Sequence, residues 1–529
     1  MTTSLPVAII GAGPVGLAAA LHLRERGLQP LVFEAGRQVG AGMRQWAHVR
    51  MFSPWAYNID RLAGELLESH GWQGPDPTHF PTGGELVSQY LEPLAALPEL
   101  APHIRLGARV TAVARHGRDR MKNADRDQRP YLVRFEVDGV EDELLAAAVI
   151  DASGTLSTPN PLGASGIAAR GERAAAGNIF YGMPDVLGSA RPRYAGKRVL
   201  VVGSGHSAFN VLADLARLRG DQAARIEWAV RRTSLRRVLG GGENDQLKER
   251  GLLGTRIGAM VDAGTIRLHA DVHIDRIERR DDGLVAWSGG RELPAVDEIV
   301  ATTGFRPDYD LLAELRLELD PGTQSPRALA PLIDPNLHSC GTVRPHGARE
   351  LAHPDPDLYV VGMKSYGRAP TFLLLTGYEQ VRSVAAAIAG DHEAAGRVEL
   401  VLPETGVCQT QFADEDGDAT GACCGTPAGA GSATVDRVAA SVASARGSCG
   451  AGTGVAADGS TGTGRGCGSP AAAVPARANA SAGCCGGPPA AGVDACCVRD
   501  AEAKAAGLGG CGCAEQPAAT EPQALARCC

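Results

Sequence analysis

Two glycine-rich segments of this 529-residue chain have the spacing that binds the phosphates of a dinucleotide. The first places Gly11, Gly13 and Gly16 in a GxGxxG pattern, after a short run of β-forming residues and before an Ala/Leu-rich helix. These glycines permit a tight turn, the approach of backbone to a pyrophosphate, and close packing of helix on strand. The phosphates then bind the free N–H groups at the helix N-terminus. The next predicted strand ends in Glu34, where a carboxylate accepts hydrogen bonds from a ribose, so the segment predicts an FAD or NAD site.

The second segment carries Gly203, Gly205 and Ala208 in GxGxxA form, again between a predicted strand and a predicted helix. Its next strand ends in Arg231 and Arg232 and not in an acid. An acid would repel a 2′-phosphate, whereas paired guanidinium groups bind one through forked, charge-assisted hydrogen bonds. The segment therefore favours NADPH over NADH. The alternative is that these are two solvated arginines at the end of a strand.

Two such segments predict an α/β fold with two Rossmann-like domains. One domain would hold a cofactor that stays bound, and the other a cofactor that binds transiently. The predicted FAD domain comprises 1–184 and 301–403, and the predicted NADPH domain, 185–300, is inserted between them. The segment Asp151–Gly154 follows a predicted apolar strand, and the segment Glu298–Asp308 includes one. We expect each of them to carry the chain across between the two domains.

Near the end of this folded part, a strand, a Gly/Pro loop and a helix from about Thr376 follow one another. The N-terminus of that helix would stabilise negative charge on a reduced isoalloxazine. Trp46, Gly154, Gly304 and Gly362 complete the predicted cofactor-binding residues.

Composition excludes several classes of function. A hydrophobic content of 44% is ordinary for a globular protein, and a net charge of −8 gives no reason to expect nucleic acid as a partner. No apolar run approaches the ~18–20 residues that span a bilayer, and no secretion signal is visible. The sequence therefore predicts a cytoplasmic protein with reduced thiols and no membrane partner. Residues 404–529 are mostly Ala, Gly, Ser, Thr and Pro, which predicts a disordered tail.

The motifs of residues 1 to about 400 resemble those of two-dinucleotide-binding flavoproteins, and among them the flavin-containing monooxygenases. The segment VATTGFRPD looks like the ATGY-type motif of that group. The segments VRMFSPWAYNID, GSGHSAFN and GMKSYGRAPTFLLLTGYEQ look more particularly like flavoproteins encoded in bacterial arsenic-resistance operons. This resemblance implies tightly bound FAD, its reduction by NADPH, and activation of O₂ for transfer to a small-molecule substrate.

The chain departs from that group at several positions. The FxGxxxH signature would begin at Phe180, but Val186 occupies its histidine position, and Met363 replaces the Asp that related reductases carry after the last phosphate-facing glycine. Asn58 matches an active-site Asn of the group loosely. The resemblance makes Asn58 a candidate catalytic residue facing the flavin, and the alternative is that it caps a helix beginning near Ile59.

Cysteine placement separates two kinds of chemistry. A disulfide reductase of this architecture requires a CxxC or CxxxxC beside the flavin, because electrons pass from flavin to sulfur by contact. No cysteine precedes Cys340, so oxygen chemistry is favoured. Cys340 itself is predicted to be an ordinary loop thiol, and the alternative is a lone thiol that contacts the substrate.

The tail contains most of the 14 cysteines. Adjacent Cα atoms lie about 3.8 Å apart, less than the ~4.4–6.8 Å of a relaxed disulfide, so vicinal cysteines are better suited to bind one soft ion through two thiolates. Given the resemblance, trivalent arsenic or another thiophilic metalloid is the predicted ligand. The alternatives are an inert extension and a flexible electron shuttle that reaches back to the flavin. The predicted metalloid ligands are Cys423, Cys424, Cys484, Cys485, Cys496, Cys497, Cys528 and Cys529.

Overall fold

The structure is a computed structural model that describes residues 5–233, 239, 248–337, 343–369 and 372–400. The predictions for the tail, 404–529, for its cysteine pairs and for Cys340 lie outside the described residues. None of the described helices has the length and hydropathy needed to span a membrane.

Parallel strands form the framework of the described residues. In chain order the strands are β1 Val7–Ile10, β2 Pro30–Glu34, β3 Ile104–Leu106, β4 Ala108–Arg115, β5 Tyr131–Val137, β6 Val140–Ala146, β7 Ala148–Asp151, β8 Ile179–Tyr181, β9 Arg198–Val202, β10 Arg225–Ala229, β11 Ile266–His269, β12 Arg276–Arg280, β13 Gly283–Ser288, β14 Arg291–Glu292, β15 Glu298–Ala301 and β16 Leu358–Val360. The α-helices that accompany them are α1 Pro14–Glu25, α2 Ala41–Arg44, α3 Arg61–Ser69, α4 Gly83–Leu86, α5 Glu92–Ala96, α6 Arg191–Tyr194, α7 His206–Leu215, α8 Lys248–Asp262, α9 Ala330–Ile333, α10 Ala348–Leu351, α11 Leu374–Ile388 and α12 His392–Gly396.

The first parallel sheet has the strand order β16-β7-β1-β2-β3. Its central strands are buried along their whole length, as expected for a parallel sheet covered on both faces. Helix α1 packs against α11 on one face, and the small antiparallel sheet β4-β5-β6 shares an apolar core with the other face. The carboxyl ends of β1, β7 and β16 lie side by side, because Asp151 is in register with both Ile10 and Val360.

The second parallel sheet has the strand order β11-β10-β9-β15-β8. Val202 at the end of β9 is in register with Ala229 of β10 and with Ala301 of β15. In each parallel sheet, one strand leads through a glycine-rich turn into a helix. The predicted α/β fold with two Rossmann-like domains is therefore confirmed. The strands of the second sheet extend from 179 to 301, and the domain limits at 185 and 300 stay predictions.

Two crossing segments join the sheets and pair with each other. The chain leaves the first sheet after β7 and returns after β15, and Asn160 of the outgoing segment bonds to the returning one. The backbone N–H of Asn160 donates to the carbonyl of Gly304 at 2.9 Å, and its side-chain amide donates to the carbonyl of Thr303 at 3.1 Å. The Thr303 hydroxyl donates back to the Asn160 carbonyl at 2.7 Å. A hydrogen-bonded pair of segments therefore connects the domains.

A buried histidine near β16 links stability to pH. His353 is 9% exposed, and its Nδ1 accepts a hydrogen bond from the backbone N–H of Glu318 at 3.2 Å, so the ring is neutral. Burial lowers the pKa of His353 to about 4, and the nearby Asp355 opposes this only in part. Below about pH 6.5 the unfolded chain binds a proton here that the native chain does not bind until about pH 4. Stability therefore falls as the pH falls through this window.

Replacing this histidine tests the link. His353→Gln retains an acceptor for the Glu318 N–H but cannot titrate. Between about pH 7.5 and about pH 5, the free energy of unfolding of this variant should fall by about 2 kcal/mol less than that of the unchanged chain. Chemical unfolding at both pH values measures this, and His116→Gln at an exposed position is the control. An equal pH dependence in His353→Gln and the unchanged chain would contradict the prediction.

Candidate functional site

The first glycine-rich turn joins β1 to α1 and contains an open space at the helix N-terminus. Gly11 has φ of +103°, and a Cβ atom there would lie 2.8 Å from the carbonyl oxygen of Ala152. A Cβ on Gly16 would overlap the carbonyl oxygen of Gly11. Gly13 differs from both, because its φ of −81° is ordinary and a Cβ there would meet no protein atom within 4 Å. We call this turn, 11–16, the first cradle.

The second glycine-rich turn, 203–208, joins β9 to α7 and repeats this arrangement; we call it the second cradle. Gly203 has φ of +136°, and a Cβ there would lie 2.5 Å from the carbonyl oxygen of Thr302. Ala208 is fully buried in the domain core. Gly205, at the N-cap of α7, has φ of −88°, and a Cβ there would meet no protein atom within 4 Å.

In both cradles, the outer small residues are required by the protein's own packing and the central glycine is not. The space beside Gly13 and Gly205 lies at the N-terminus of a helix, where free N–H groups and the helix dipole favour a phosphate. The residues present therefore fit the diphosphate of a dinucleotide in each domain.

Glu34 lies at the carboxyl end of β2 and organises the first cradle. Its carboxylate accepts hydrogen bonds from the backbone N–H of Ala12 at 2.8 Å and from that of Gly36 at 2.7 Å. Each oxygen of a carboxylate has two acceptor positions, so both oxygens of Glu34 retain one for a ribose hydroxyl. Its role in cofactor binding stays a prediction.

Arg231 and Arg232 lie just beyond the carboxyl end of β10, the strand next to β9. Arg231 is exposed and Arg232 is partly exposed. The carbonyl of Arg232 accepts a hydrogen bond from the backbone N–H of Asp271 at 3.1 Å, which fixes the backbone at this point. The two guanidinium groups thus belong to the same edge of the sheet as the second cradle.

A buried ion pair that sequence analysis missed supports the first cradle. The Lys364 ammonium is 2.6 Å from Asp151 Oδ2 and donates to the Ser153 hydroxyl at 3.0 Å. Both charged side chains are at most 1% exposed. The pair joins the ends of β7 and β16, and it fixes the turn at 152–154 whose Ala152 carbonyl abuts Gly11. Only the positions of Asp151 and Gly154 in a turn were visible from the sequence.

A second missed network fixes the loop after β16. The Gln380 side chain of α11 accepts from the Gly362 N–H at 2.8 Å and donates to the Ser365 hydroxyl at 3.0 Å. It also donates to Nε2 of His346 at 2.9 Å, while Nδ1 of His346 bonds the carbonyl of Arg344. Burial lowers the pKa of His346, which favours the neutral ring that this arrangement requires. The network therefore orients the loop at Gly362, whose φ is +68°, against α11.

Comparison with known proteins identifies the family. Residues 8–328 match the sequence family described as pyridine nucleotide-disulphide oxidoreductase. The chain belongs to this family. Membership confirms the predicted class of enzyme, a flavoprotein oxidoreductase with FAD and a nicotinamide cofactor.

Curated proteins similar to this chain include monooxygenases and reductases. Indole-3-pyruvate monooxygenase YUCCA1 of Oryza sativa subsp. japonica is 30% identical over 219 residues, which are 40% of this chain and 44% of that protein. Flavin-containing monooxygenase FMO GS-OX-like 2 of Arabidopsis thaliana is 26% identical over 341 residues, 59% of this chain and 62% of that protein. Bacilliredoxin reductase Bdr of Bacillus subtilis is 24% identical over 322 residues, 60% of this chain and 82% of that protein. The chain thus spans less than two thirds of the length of both plant monooxygenases.

Solved structures show the same division. Bacillithiol Disulfide Reductase Bdr (YpdA) from Bacillus cereus superposes with a TM-score of 0.53 at 20% identity, covering 73% of this chain and 99% of that one. DfoA, a cadaverine monooxygenase from Erwinia amylovora solved with FAD, gives a TM-score of 0.53 at 16% identity, covering 77% and 100%. At these identities the likeness shows the fold alone.

The structure gives Asn58 a supporting position within this family fold. Its side chain is fully buried, accepts from the Ser53 hydroxyl at 2.8 Å, and donates to the carbonyls of Ser53 and Pro54 at 2.9 Å each. The alternative that Asn58 caps the next helix is wrong, because Asp60 is the N-cap of α3 and accepts from the Ala63 N–H at 3.0 Å. As a flavin-facing residue, Asn58 stays a prediction.

Three further predicted site residues lie outside the helices and strands: Trp46, Gly154 and Gly304. Trp46 is partly buried and its ring covers Gly83. Gly154 and Gly304 have φ of +73° and +86°, which glycine adopts without strain. Val186, at the histidine position of the FxGxxxH signature, is fully buried in the core of the second domain.

Among the described residues, no group of three His, Cys, Asp or Glu side chains could bind a metal ion.

Paired alanine substitutions test whether the open space of the cradles serves a ligand. Gly13→Ala should change the unfolding free energy of the FAD-free chain by less than about 1 kcal/mol, because Ala adopts this φ and meets no atom. It should nevertheless weaken FAD binding at least about tenfold, since the new methyl group occupies phosphate space. Gly205→Ala should retain FAD and raise the KM for NADPH.

Gly16→Ala is the matched control, because its Cβ overlaps backbone. It should destabilise the FAD-free chain itself. Thermal unfolding and flavin titration measure both effects. If Gly13→Ala bound FAD like the unchanged chain, or unfolded like Gly16→Ala, the assignment of the first cradle would be wrong.

Proposed function

We propose that this chain is an FAD- and NADPH-dependent monooxygenase that transfers one oxygen atom of O₂ to a small molecule. The carrying observation is the combination of two open cradles with a sequence that has no cysteine among residues 1–339. A dithiol beside the flavin is therefore not available from this part of the chain. Oxygen is an acceptor that requires no such group.

The protein's own residues have defined tasks in this proposal. The first cradle and Glu34 bind FAD, and the ion pair between Lys364 and Asp151 fixes the turn at 152–154 against that cradle. The second cradle binds NADPH, and Arg231 and Arg232 bind its 2′-phosphate. FAD, when bound, supplies the chemistry that passes electrons from NADPH to O₂.

The overall reaction balances without a further reductant. One NADPH, one proton, one O₂ and one substrate molecule give NADP⁺, water and the oxygenated substrate. NADPH supplies two electrons and the substrate supplies the other two that O₂ requires. A soft nucleophile such as sulfur, or a trivalent arsenical, is the proposed acceptor; the latter is suggested by the resemblance to flavoproteins of arsenic-resistance operons.

The tail has a proposed role in supplying that substrate. Its four adjacent cysteine pairs each provide two thiolates for one trivalent arsenic or other thiophilic metalloid. The alternatives are an NADPH-dependent disulfide or metalloid reductase in which these thiols shuttle electrons, and a metalloid-sequestering flavoprotein. The names of the two Bdr relatives, both reductases, are the observation that favours the first alternative.

Oxygen dependence distinguishes the proposal from the reductase. Without O₂, NADPH should reduce the bound FAD once and turnover should then stop, with or without a disulfide such as oxidised glutathione. With O₂ and arsenite, NADPH oxidation should continue and yield the pentavalent product. Continued anaerobic turnover with a disulfide would contradict the monooxygenase.

A chain ended after residue 403 is the matched variant for the same assay. The monooxygenase proposal expects it to retain FAD and NADPH-dependent O₂ consumption but to lose high-affinity arsenite binding. Under the shuttle alternative, disulfide-dependent turnover of the full chain disappears in the shortened one. Arsenite binding equal in both chains would contradict the proposed role of the tail.

A further inference from the structure

A short segment of the first domain, 51–58, is anchored firmly in that domain. The Met51 N–H donates to the Pro81 carbonyl at 2.8 Å, and the Trp55 N–H donates to the His79 carbonyl at 2.8 Å. Trp55 is 1% exposed in the core beneath the first sheet. At its other end, the carbonyl of Asn58 accepts a hydrogen bond from the Tyr378 hydroxyl of α11 at 2.7 Å. The segment therefore has little freedom to move independently of the first domain.

One side chain of this segment leaves the first domain. Phe52 packs against the apolar core of the second domain, and its ring centroid lies 5.1 Å from that of His206, the first residue of α7. His206 lies 5.7 Å edge-on to Phe209, which lies 6.0 Å edge-on to Trp228. The Trp228 indole N–H donates to the carbonyl of Gly203 at 2.8 Å. We call Phe52, His206, Phe209 and Trp228 the aromatic bridge.

The aromatic bridge connects the first domain to the second cradle by a route separate from the crossing segments. It begins in a segment fixed to the FAD-binding domain and ends on Gly203, the first glycine of the second cradle. His206 follows Gly205 directly, so the contact with Phe52 is made at the helix end where the diphosphate of NADPH would bind.

We propose that Phe52 is a positioning residue that docks the NADPH-binding helix on the FAD domain and so sets the approach of the nicotinamide to the flavin. This inference rests on the proposed function only for the identity of the cofactors. Each ring contact is worth little alone, but a buried aromatic side chain contributes substantially to a small domain contact. Loss of this contact should loosen α7 and slow hydride transfer even when NADPH is saturating.

Two measurements on three variants test this proposal. Phe52→Ala removes the ring, Phe52→Tyr retains it, and Leu268→Ala removes a similar side chain from the same core at the outer edge strand β11. Hydrogen exchange of the α7 amides is measured in the FAD-bound chain without NADPH. Single-turnover reduction of the flavin is measured without O₂ at saturating NADPH.

In Phe52→Ala, we expect the α7 amides to exchange about tenfold faster than in the unchanged chain. We expect NADPH to reduce the flavin of this variant about tenfold more slowly. Phe52→Tyr should stay within about twofold of the unchanged chain in both measurements, and Leu268→Ala should leave α7 exchange and the rate of reduction within the same limit. Reduction by dithionite should be equal in all variants, which shows an intact flavin site.

Three results would overturn the proposal: Phe52→Ala behaving like the unchanged chain, Phe52→Tyr failing like Phe52→Ala, or Leu268→Ala being equally slow. Failure of the cofactor assignment on which this inference rests gives a different result. In that case NADPH would not reduce the flavin of the unchanged chain at all, while the exchange of α7 would still report whether Phe52 docks the domains.

Discussion

The close contact between each glycine-rich turn and the segment that leaves its domain is the constraint on which the rest of the structure depends. In the first domain, Gly11 abuts the carbonyl of Ala152 after β7, and in the second, Gly203 abuts the carbonyl of Thr302 after β15. Both contacts exclude any side chain. They place the two cradles directly against the segments that connect the domains.

This arrangement links the two sites mechanically. The segments that follow Ala152 and Thr302 pair through Asn160, so the backbone segment that abuts Gly11 is hydrogen-bonded to the one that abuts Gly203. The buried ion pair of Lys364 and Asp151 fixes the first of these segments, and in the second domain the Trp228 indole N–H donates to the Gly203 carbonyl. A buried pair of this kind is costly to break, because removal of one partner leaves an uncompensated charge. We infer that the geometry of both sites is set mainly by buried polar contacts far apart in sequence.

Sequence analysis predicted the parts of the candidate site that are encoded locally. The fingerprint glycines, Glu34 and the strands that carry them are read from spacing, because a turn between strand and helix uses adjacent residues. Lys364 and Asp151 are separated by 213 positions, and His346 and Gln380 by 34, so no local pattern announces either contact. The competing explanation of Asn58 as a helix cap failed because Asp60, two residues on, occupies the cap position. Phe52 was visible only as part of a resembling segment, since its partner lies in the other domain.

The claim that two different dinucleotides meet in this chain is tested most directly by titrating the purified protein, without O₂, with NADPH and with NADH. The account predicts a yellow protein whose flavin absorbance is bleached by about one equivalent of NADPH. At equal, subsaturating concentrations NADH should bleach it at least about tenfold more slowly, and this preference should be lost in the double variant Arg231→Gln, Arg232→Gln. Arg225→Gln, at the other end of β10, should keep the preference. A colourless protein, or a flavin that neither nucleotide bleaches, would contradict the account.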